Sequence, residues 1–245
     1  MQSALQASAS ATVIIPTVGR AVLRRCVASV LGQSHAPVQA YVVCDGPQFH
    51  PQVQQSLEGL DTARIRLLVL PENVGSGGYY GHRALAGCSH FVNCDYVLFL
   101  DEDNWYEPEH VAGLIATIQR FGLDWAFSLR RVVARDGEFV VRDDCESLGA
   151  WPGWRGHHLV DTSCYCLKRG VAAAAASAWH GGWGQDRVYL KTLATHFPRY
   201  RASGAYTVNY RLGGNPGSVT AEFFHQGNEF MRQRYPAGFP WSAGH

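Results

Sequence analysis

Charge of one sign is missing from this chain of 245 residues: 21 lysines and arginines stand against 20 aspartates and glutamates, for a formal net charge of +1. Such a surface attracts neither nucleic acid nor an anionic membrane in bulk, so any anion recognition has to be local. Long apolar runs are also missing. Hydrophobic residues make up 47% of the chain, yet no uninterrupted stretch approaches the roughly 20 residues that a membrane-spanning helix needs. Residues 1–10 are small and polar, without the basic start and apolar centre of a secretory signal, and read as a disordered leader. The seven cysteines are odd in number and their spacing fits neither a zinc site nor a disulfide framework. A reducing, cytoplasmic setting is therefore expected. Cys26 and Cys44 read as small core residues, and Cys164 and Cys166 as packing side chains on one face of a strand. No linker or repeat divides the chain. Residues 11–245 are expected to form one domain whose two halves meet near residue 120.

What is present is a regular alternation of strand and helix. Residues 12–16 are a buried strand that ends in the polar loop from Pro16 to Arg20. Val22, Leu23, Cys26, Val27, Val30 and Leu31 then recur at helical spacing up to Gly32. A second strand, 40–44, ends on Asp45, and a third, 65–70, ends on Pro71. The glycine-rich turn from Asn73 to Gly78 precedes a helix through Tyr80, Ala84 and Leu85. It carries neither a dinucleotide fingerprint nor a Walker lysine, so a tight turn is the minimal reading. Strands alternating with helices predict a doubly wound, mostly parallel α/β sheet with helices on both faces. Right-handed crossovers then bring the strand-end loops to one edge, where Arg20, Asp45, Asn73 and Asp101 converge on a shared nucleotide site.

The fourth strand carries the strongest signal. Tyr96 to Leu100 is an apolar run without alternation, as a sheet covered on both faces requires, and it stops on Asp101, Glu102 and Asp103. Ligands of open α/β sheets bind beyond the carboxyl ends of strands. Two carboxylates on a short turn there can hold a divalent cation that neutralises a diphosphate. The plainer reading is a solvated turn, with Asp103 or Asn104 capping a helix that begins near Glu107 and Pro108. A further helix runs through Val111, Leu114, Ile115 and Ile118.

The second half is less regular. Residues 125–130 read as a fifth strand and 132–144 as a hairpin around Arg135, Asp136 and Gly137. A loop rich in tryptophan and glycine, 151–158, leads to Asp161, and the alanine-rich segment 171–178 is helical by propensity. Asp186 then stands where Val188, Leu190 and Leu193 begin another helix, a position that also suits an ordinary cap. Trp151, Trp154, Trp179 and Trp183 are core filler or flat apolar platforms for a ligand ring. His157 and His158, being adjacent, would point opposite ways on a strand.

Taken together these residues resemble the GT-A fold of nucleotide-sugar-dependent glycosyltransferases, specifically the inverting family 2. The resemblance rests on Val13 to Thr17 with Arg20, Ser29 to Gln33, Val43 to Gly46, Asn73 to Gly75 and Leu100 to Asp103. It continues more weakly through Asp161 to Ser163, Gly184 to Arg187 and Asn209 to Arg211. It implies that Pro16, Thr17, Arg20, Asp45, Asn73 and Asp101 bind the donor, a nucleoside-diphosphate sugar of the UDP type, with Asp45 accepting from a base N–H. Asp101 and Asp103 match the family's Asp-x-Asp motif, which implies a bound Mn²⁺ or Mg²⁺. Asp186 matches the general base that takes a proton from the acceptor hydroxyl, on a saccharide or another alcohol. By the same resemblance Asp161 faces the acceptor, although a turn carboxylate bonding its own backbone fits equally. His225 matches an additional metal ligand of some relatives, although a packed histidine beside Phe223 and Phe224 fits as well.

Departures from the pattern are specific. Cys44 replaces a usual aspartate before Asp45, and Tyr79 to His82 replaces a frequent Ala-Arg-Asn. The Gln-x-x-Arg-Trp signature of processive synthases is absent, which implies a non-processive enzyme. A sugar nucleotidyltransferase, which would want a more basic and glycine-rich first loop, and a non-catalytic binding protein of the same fold are the alternatives.

Overall fold

The computed structural model describes residues 9–147, 158–214 and 218–241. Trp151, Trp154 and His157, and residues 1–8 of the expected leader, lie outside the described residues. Ser10, the last residue of that leader, belongs to the fold, because its N–H and hydroxyl both bond Asp95 Oδ2, at 2.7 and 2.8 Å.

One sheet runs through both halves of the chain. β1 (Ala11–Thr17), β2 (Val38–Cys44), β3 (Ile65–Val69) and β4 (Tyr96–Phe99) lie in the order β3-β2-β1-β4, all parallel. β8 (Tyr165–Lys168) then pairs antiparallel with β4 and with β6 (Trp125–Val133). β9 (Tyr200–Arg211) lies parallel to β6, and β5 (Trp105–Tyr106) closes the edge against β9. β7 (Phe139–Arg142) forms the expected hairpin with β6. From these pairing senses, six of the nine strands among the described residues point one way, and β5, β7 and β8 are reversed. The expected α/β architecture is therefore present, and every antiparallel pair involves a strand of the second half.

The apolar runs explain the core. All seven residues of β1 and all four of β4 are buried. That demands cover on both faces, supplied by α1 (Leu23–Leu31), α2 (His50–Leu57), α3 (His82–Phe91), α4 (His110–Phe121) and α5 (Arg169–Ala175). Strand order reverses after β3, so the right-handed rule sets α1 and α2 on one face and α3 on the other. α6 (Gln185–His196) and α7 (Ala221–Arg234) complete the fold.

The strand order also decides where the sheet opens. Leu100 N–H donates to Ile14 O on the β4 side, and Asp45 N–H donates to Thr17 O on the β2 side. Alternation along β1 therefore turns Pro16 toward β4, beyond the last register pair, Ile14 with Phe99. A proline without an N–H fits inside a central strand at this point because the ladder has already parted. β1 and β4 diverge here, at the switch point of the sheet.

The helix expected near Glu107 and Pro108 starts later. α4 begins at His110 with Glu109 as its N-cap, and β5 occupies Trp105–Tyr106, so neither Asp103 nor Asn104 caps it. Likewise Cys164 lies in the turn before β8 rather than sharing a strand face with Cys166. All seven cysteines are buried and unpaired.

Gln33 ties α1 to this region. Its amide nitrogen donates to Ser29 O (3.0 Å) and Glu107 O (2.9 Å), and its oxygen accepts from Val111 N–H (2.9 Å). Gln33→Ala leaves the buried Val111 N–H and two part-buried carbonyls, Ser29 O and Glu107 O, without that partner, so it is expected to cost about 2–3 kcal/mol. Urea unfolding should show a lower midpoint with an unchanged m-value. A midpoint equal to wild type would remove this bridging role.

Candidate functional site

The loops after β1, β2, β3 and β4 and the start of α6 meet at one cleft of about 520 Å³. Pro16, Thr17, Arg20, Asp45, Asn73, Asp101, Asp103 and Asp186 all line it.

The loop after β1 is shaped by a carboxylate from β4's end. Glu102 turns back to accept from the Thr17 hydroxyl, from Arg20 N–H (3.1 Å) and from Val18 N–H (3.4 Å). Glu102 is thereby a clamp on the loop that carries Arg20. Arg20 in turn reaches Asp103, Nη1 to Oδ2 at 3.1 Å, and donates to Gly214 O at 3.2 Å. A Cβ at position 214 would lie 2.2 Å from Asp103 Oδ2, so any larger residue there would have to push that carboxylate aside.

The loop after β2 works similarly. Asp45 accepts from Val74 N–H (2.8 Å) and Gly75 N–H (2.9 Å), one on each oxygen, and so holds the glycine-rich segment against the sheet. Position 75 must be glycine, since a Cβ there would lie 2.5 Å from Asp45 Oδ2 and closer still to Tyr80 O. Next to this clamp Asn73 Oδ1 is buried with no protein partner, an acceptor that a ligand N–H can satisfy.

Asp101 and Asp103 sit at the mouth of the β1–β4 divergence. Asp101 N–H donates to Ser163 Oγ (3.3 Å), which also receives Asn104 Nδ2 (3.0 Å), while Asn104 Oδ1 accepts from Arg211 N–H (3.1 Å). These bonds fix the turn from both sides. Burial, reinforced by Asp161, Asp103, Asp186 and Glu102, holds the Asp101 carboxyl well above the usual carboxylate range. Burial also raises Asp103, against the pull of Arg20.

Asp186 is in the first turn of α6, behind the N-cap Gly184, so it is not itself the cap. Gly184 has φ +80°, which favours glycine and turns the chain sharply into the helix. Asp186 Oδ1 accepts from Arg187 N–H at 2.9 Å and meets Arg187 Nη1 at 3.4 Å. Burial raises its pKa, Arg187 opposes that rise, and Asp161 adds to it.

The floor of the cleft holds groups with no conspicuous sequence signal. Arg130 of β6, with 4% of its side chain exposed, donates to Asp143 (2.7 Å), Asp161 (2.5 Å) and Glu146. Tyr210 covers the guanidinium at 4.4 Å. A buried arginine inside an apolar strand was the available hint, because buried charges require partners, but the partners are remote in sequence. Asp161 is a turn carboxylate bonding its own backbone, its Oδ1 accepting from Ser163 N–H at 2.9 Å, and it also lines the cleft. Burial pushes Glu146 up to about 7 against the pull of Arg130, with Asp143 adding to the rise.

Seven carboxylates (Asp45, Asp101, Glu102, Asp103, Glu146, Asp161, Asp186) thus line the cleft with four guanidiniums (Arg20, Arg130, Arg187, Arg211). That surplus suits a cation. Oxygen donors such as Asp101 and Asp103 suit a hard divalent ion, although no cluster of three or more His, Cys, Asp or Glu ligands occurs among the described residues. Ligands beyond two carboxylates would come from substrate oxygens and water, as is usual for Mg²⁺.

The structure separates readings that the sequence left open. His225 is exposed on α7 and does not line the cleft, while Trp179 is core filler, fully buried and stacked on Tyr189 with centroids 4.0 Å apart. Trp183 does line the cleft, 69% exposed. No helix among the described residues is long and apolar enough to cross a membrane.

The sequence model described as Glycosyl transferase family 2 matches residues 12–164. No curated protein matches the chain. Among solved structures, TarS 1-349 of S. aureus superposes with a TM-score of 0.61 at 16% identity, covering 82% of this chain and 60% of that one. The same protein in complex with UDP-GlcNAc gives 0.63 at 14%, covering 95% and 68%. The mannosyltransferase PcManGT from Pyrobaculum calidifontis, in complex with GDP-Man and Mn2+, gives 0.54 at 14%, covering 80% and 55%. At such identities the likeness establishes a shared fold.

Glu146 provides a check on the cleft's electrostatics. Its folded pKa lies above the unfolded value, so the stability tied to its proton is present at low pH and is lost as pH rises through about 7. Glu146→Gln cannot titrate. Its melting temperature relative to wild type should therefore rise between pH 5 and pH 8, and a constant difference would show that Glu146 is ionised throughout.

Proposed function

The chain belongs to glycosyl transferase family 2, and we propose that it moves a sugar from a nucleoside-diphosphate sugar to an acceptor hydroxyl, with inversion at the anomeric carbon. The observation that supports this reading is the convergence of the four parallel strand ends and the α6 terminus on one cleft, which Asp186, Asp101 and Asp103 all line.

On this reading the nucleoside lies along Pro16, Thr17 and Arg20. Asn73 Oδ1 accepts the imino N–H of a uracil-like base, and Asp45 presents that asparagine by holding its loop. A UDP sugar is the preferred donor class; the TarS complex with UDP-GlcNAc and the PcManGT complex with GDP-Man belong to proteins of the same fold. Asp101 and Asp103 hold Mn²⁺ or Mg²⁺ against the diphosphate, with Asp101 also toward the ribose. Their oxygen donors and the surplus negative charge fit such an ion, and PcManGT was solved with Mn2+. When bound, the cation supplies Lewis-acid stabilisation of the departing diphosphate.

The protein's own part is proton transfer and positioning. Asp186 takes the proton of the acceptor hydroxyl while that oxygen bonds to the anomeric carbon, and the bond from that carbon to the diphosphate oxygen breaks on the opposite face. One displacement inverts the centre. Asp186 must be ionised to act, and Arg187 at 3.4 Å favours the ionised form against burial.

Three outcomes test the reading. Uridine diphosphate should raise the melting temperature with Mn²⁺ present and much less without it, and Asp103→Ala should abolish the difference. Asp186→Asn should keep that stabilisation and lose transfer by roughly 10²- to 10⁴-fold. Transfer in the wild type should fall as pH drops through a point above the ordinary aspartate range, and Arg187→Met should move that point upward. Full transfer by Asp186→Asn would end the base assignment.

A further inference from the structure

Two aromatic side chains stand exposed on the cleft where burial would be expected. Trp183 is 69% exposed and Tyr80 is 47% exposed, and both line the cavity. Single exposed hydrophobic residues are ordinary on a surface. These two are held there by structure.

Tyr80 has φ +52°, the one non-glycine residue with positive φ among the described residues. A bulky side chain pays for that conformation, and such strain collects where a side chain is aimed for use. The conformation is enforced locally: the N–H groups of Tyr79 and Tyr80 both donate to Gly75 O, at 3.1 and 3.0 Å. Gly75 is in turn gripped by Asp45.

The Trp183 loop is braced against the same segment. His82 Nδ1 lies 3.0 Å from Gly181 O, and the His82 ring stacks on Trp179 with centroids 5.7 Å apart. Gly182 approaches Gly78 so closely that a Cβ would lie 3.0 Å from Gly78 O. Gln185 closes the loop from below, its Nε2 donating to Ala178 O at 2.6 Å. Trp183 is three residues ahead of Asp186, and Arg187 Cζ lies 5.9 Å from its ring centre.

We infer that Trp183 and Tyr80 form an aromatic rim that receives a saccharide acceptor, so that the acceptor of this enzyme is itself a sugar. The inference rests on the transferase reading above and names the substrate class at its second subsite. A pyranose offers an apolar C–H face and a rim of hydroxyls. The indole and phenol rings match the face, and Glu146, Asp161 and Asp186 on the same cleft accept from hydroxyls. An acyl chain would desolvate those carboxylates and their partners Arg130 and Arg187 without offering a single hydroxyl, which disfavours a lipid tail at this end. On the transferase reading the nucleobase lies against Pro16 and Asn73, so Tyr80, whose neighbour Gly81 packs on Pro16, stands between the donor and Trp183.

The test uses the donor sugar selected by thermal shift with Mn²⁺, and aryl glycosides of glucose, galactose, mannose and N-acetylglucosamine as acceptor probes. Glycerol and a serine-containing peptide serve as non-saccharide hydroxyls. At least one glycoside should accept sugar. Trp183→Ala should raise its KM roughly 10- to 100-fold with the affinity for uridine diphosphate unchanged. Trp183→Phe should recover most of the loss, and Tyr80→Ala should weaken the same KM. Transfer to glycerol or the peptide but to none of the glycosides would overturn the inference, and so would an unchanged glycoside KM in Trp183→Ala. Absence of any nucleotide-dependent stabilisation would instead overturn the transferase reading beneath it.

Discussion

Mutual repulsion among carboxylates is the constraint to which the rest of this structure answers. Seven of them line one cleft with four guanidiniums, and the low dielectric of a buried wall strengthens every like-charge contact. Left unpaired, they would protonate or force the cleft open. The fold instead gives most of them a fixed partner, and the few with the least compensation are those placed to meet a ligand.

Glu102 and Asp45 are consumed by backbone N–H groups, and each thereby shapes a loop. Glu146, Asp161 and Asp143 share Arg130. Asp103 and Asp186 each keep one arginine nearby, Arg20 and Arg187, which are partly exposed and lie on the cleft's own wall. Asp101 is held well above the usual carboxylate range by burial and, after it, by Asp161, Asp103, Asp186 and Glu102. On the proposed reading, an ion beside Asp101 and a diphosphate beside the ion would relieve that repulsion. Asp186 on α6 and the carboxylates after β4 belong to segments that only the folded sheet brings to one cleft.

The legible parts of the fold were those with an unbroken pattern. β1, β2 and β4 announce themselves as apolar runs, and α1 and α4 as stripes at helical spacing. β9 escaped because Ser203, Gly204 and Ala205 interrupt it. The register against β6 shifts at that point, with Phe127 opposite Ala202 but Leu129 opposite Tyr206, and Gly204 has φ +76°. β5 is two residues long, too short for a periodicity. α7 is mostly polar, and its place is set by packing of Phe224 and Met231, which no local pattern reports.

The sequence by itself determined the α/β class, the ends of the first four strands and the acidic stop after β4, because burial on both faces leaves a local signature in the chain. It also set apart Asp186 as a carboxylate at a helix start. Tertiary structure alone decided what each acid does. Glu102 rather than Asp101 clamps the first loop, Arg130 gathers Asp143, Glu146 and Asp161 from distant segments, and Trp183 is turned outward while Trp179 is buried. Charge and aromatic character are readable from composition, but whether a group is spent on its neighbours or left for a ligand depends on distances across the cleft. Those distances arise only when β1 and β4 part beyond Ile14 and the later segments close over the gap.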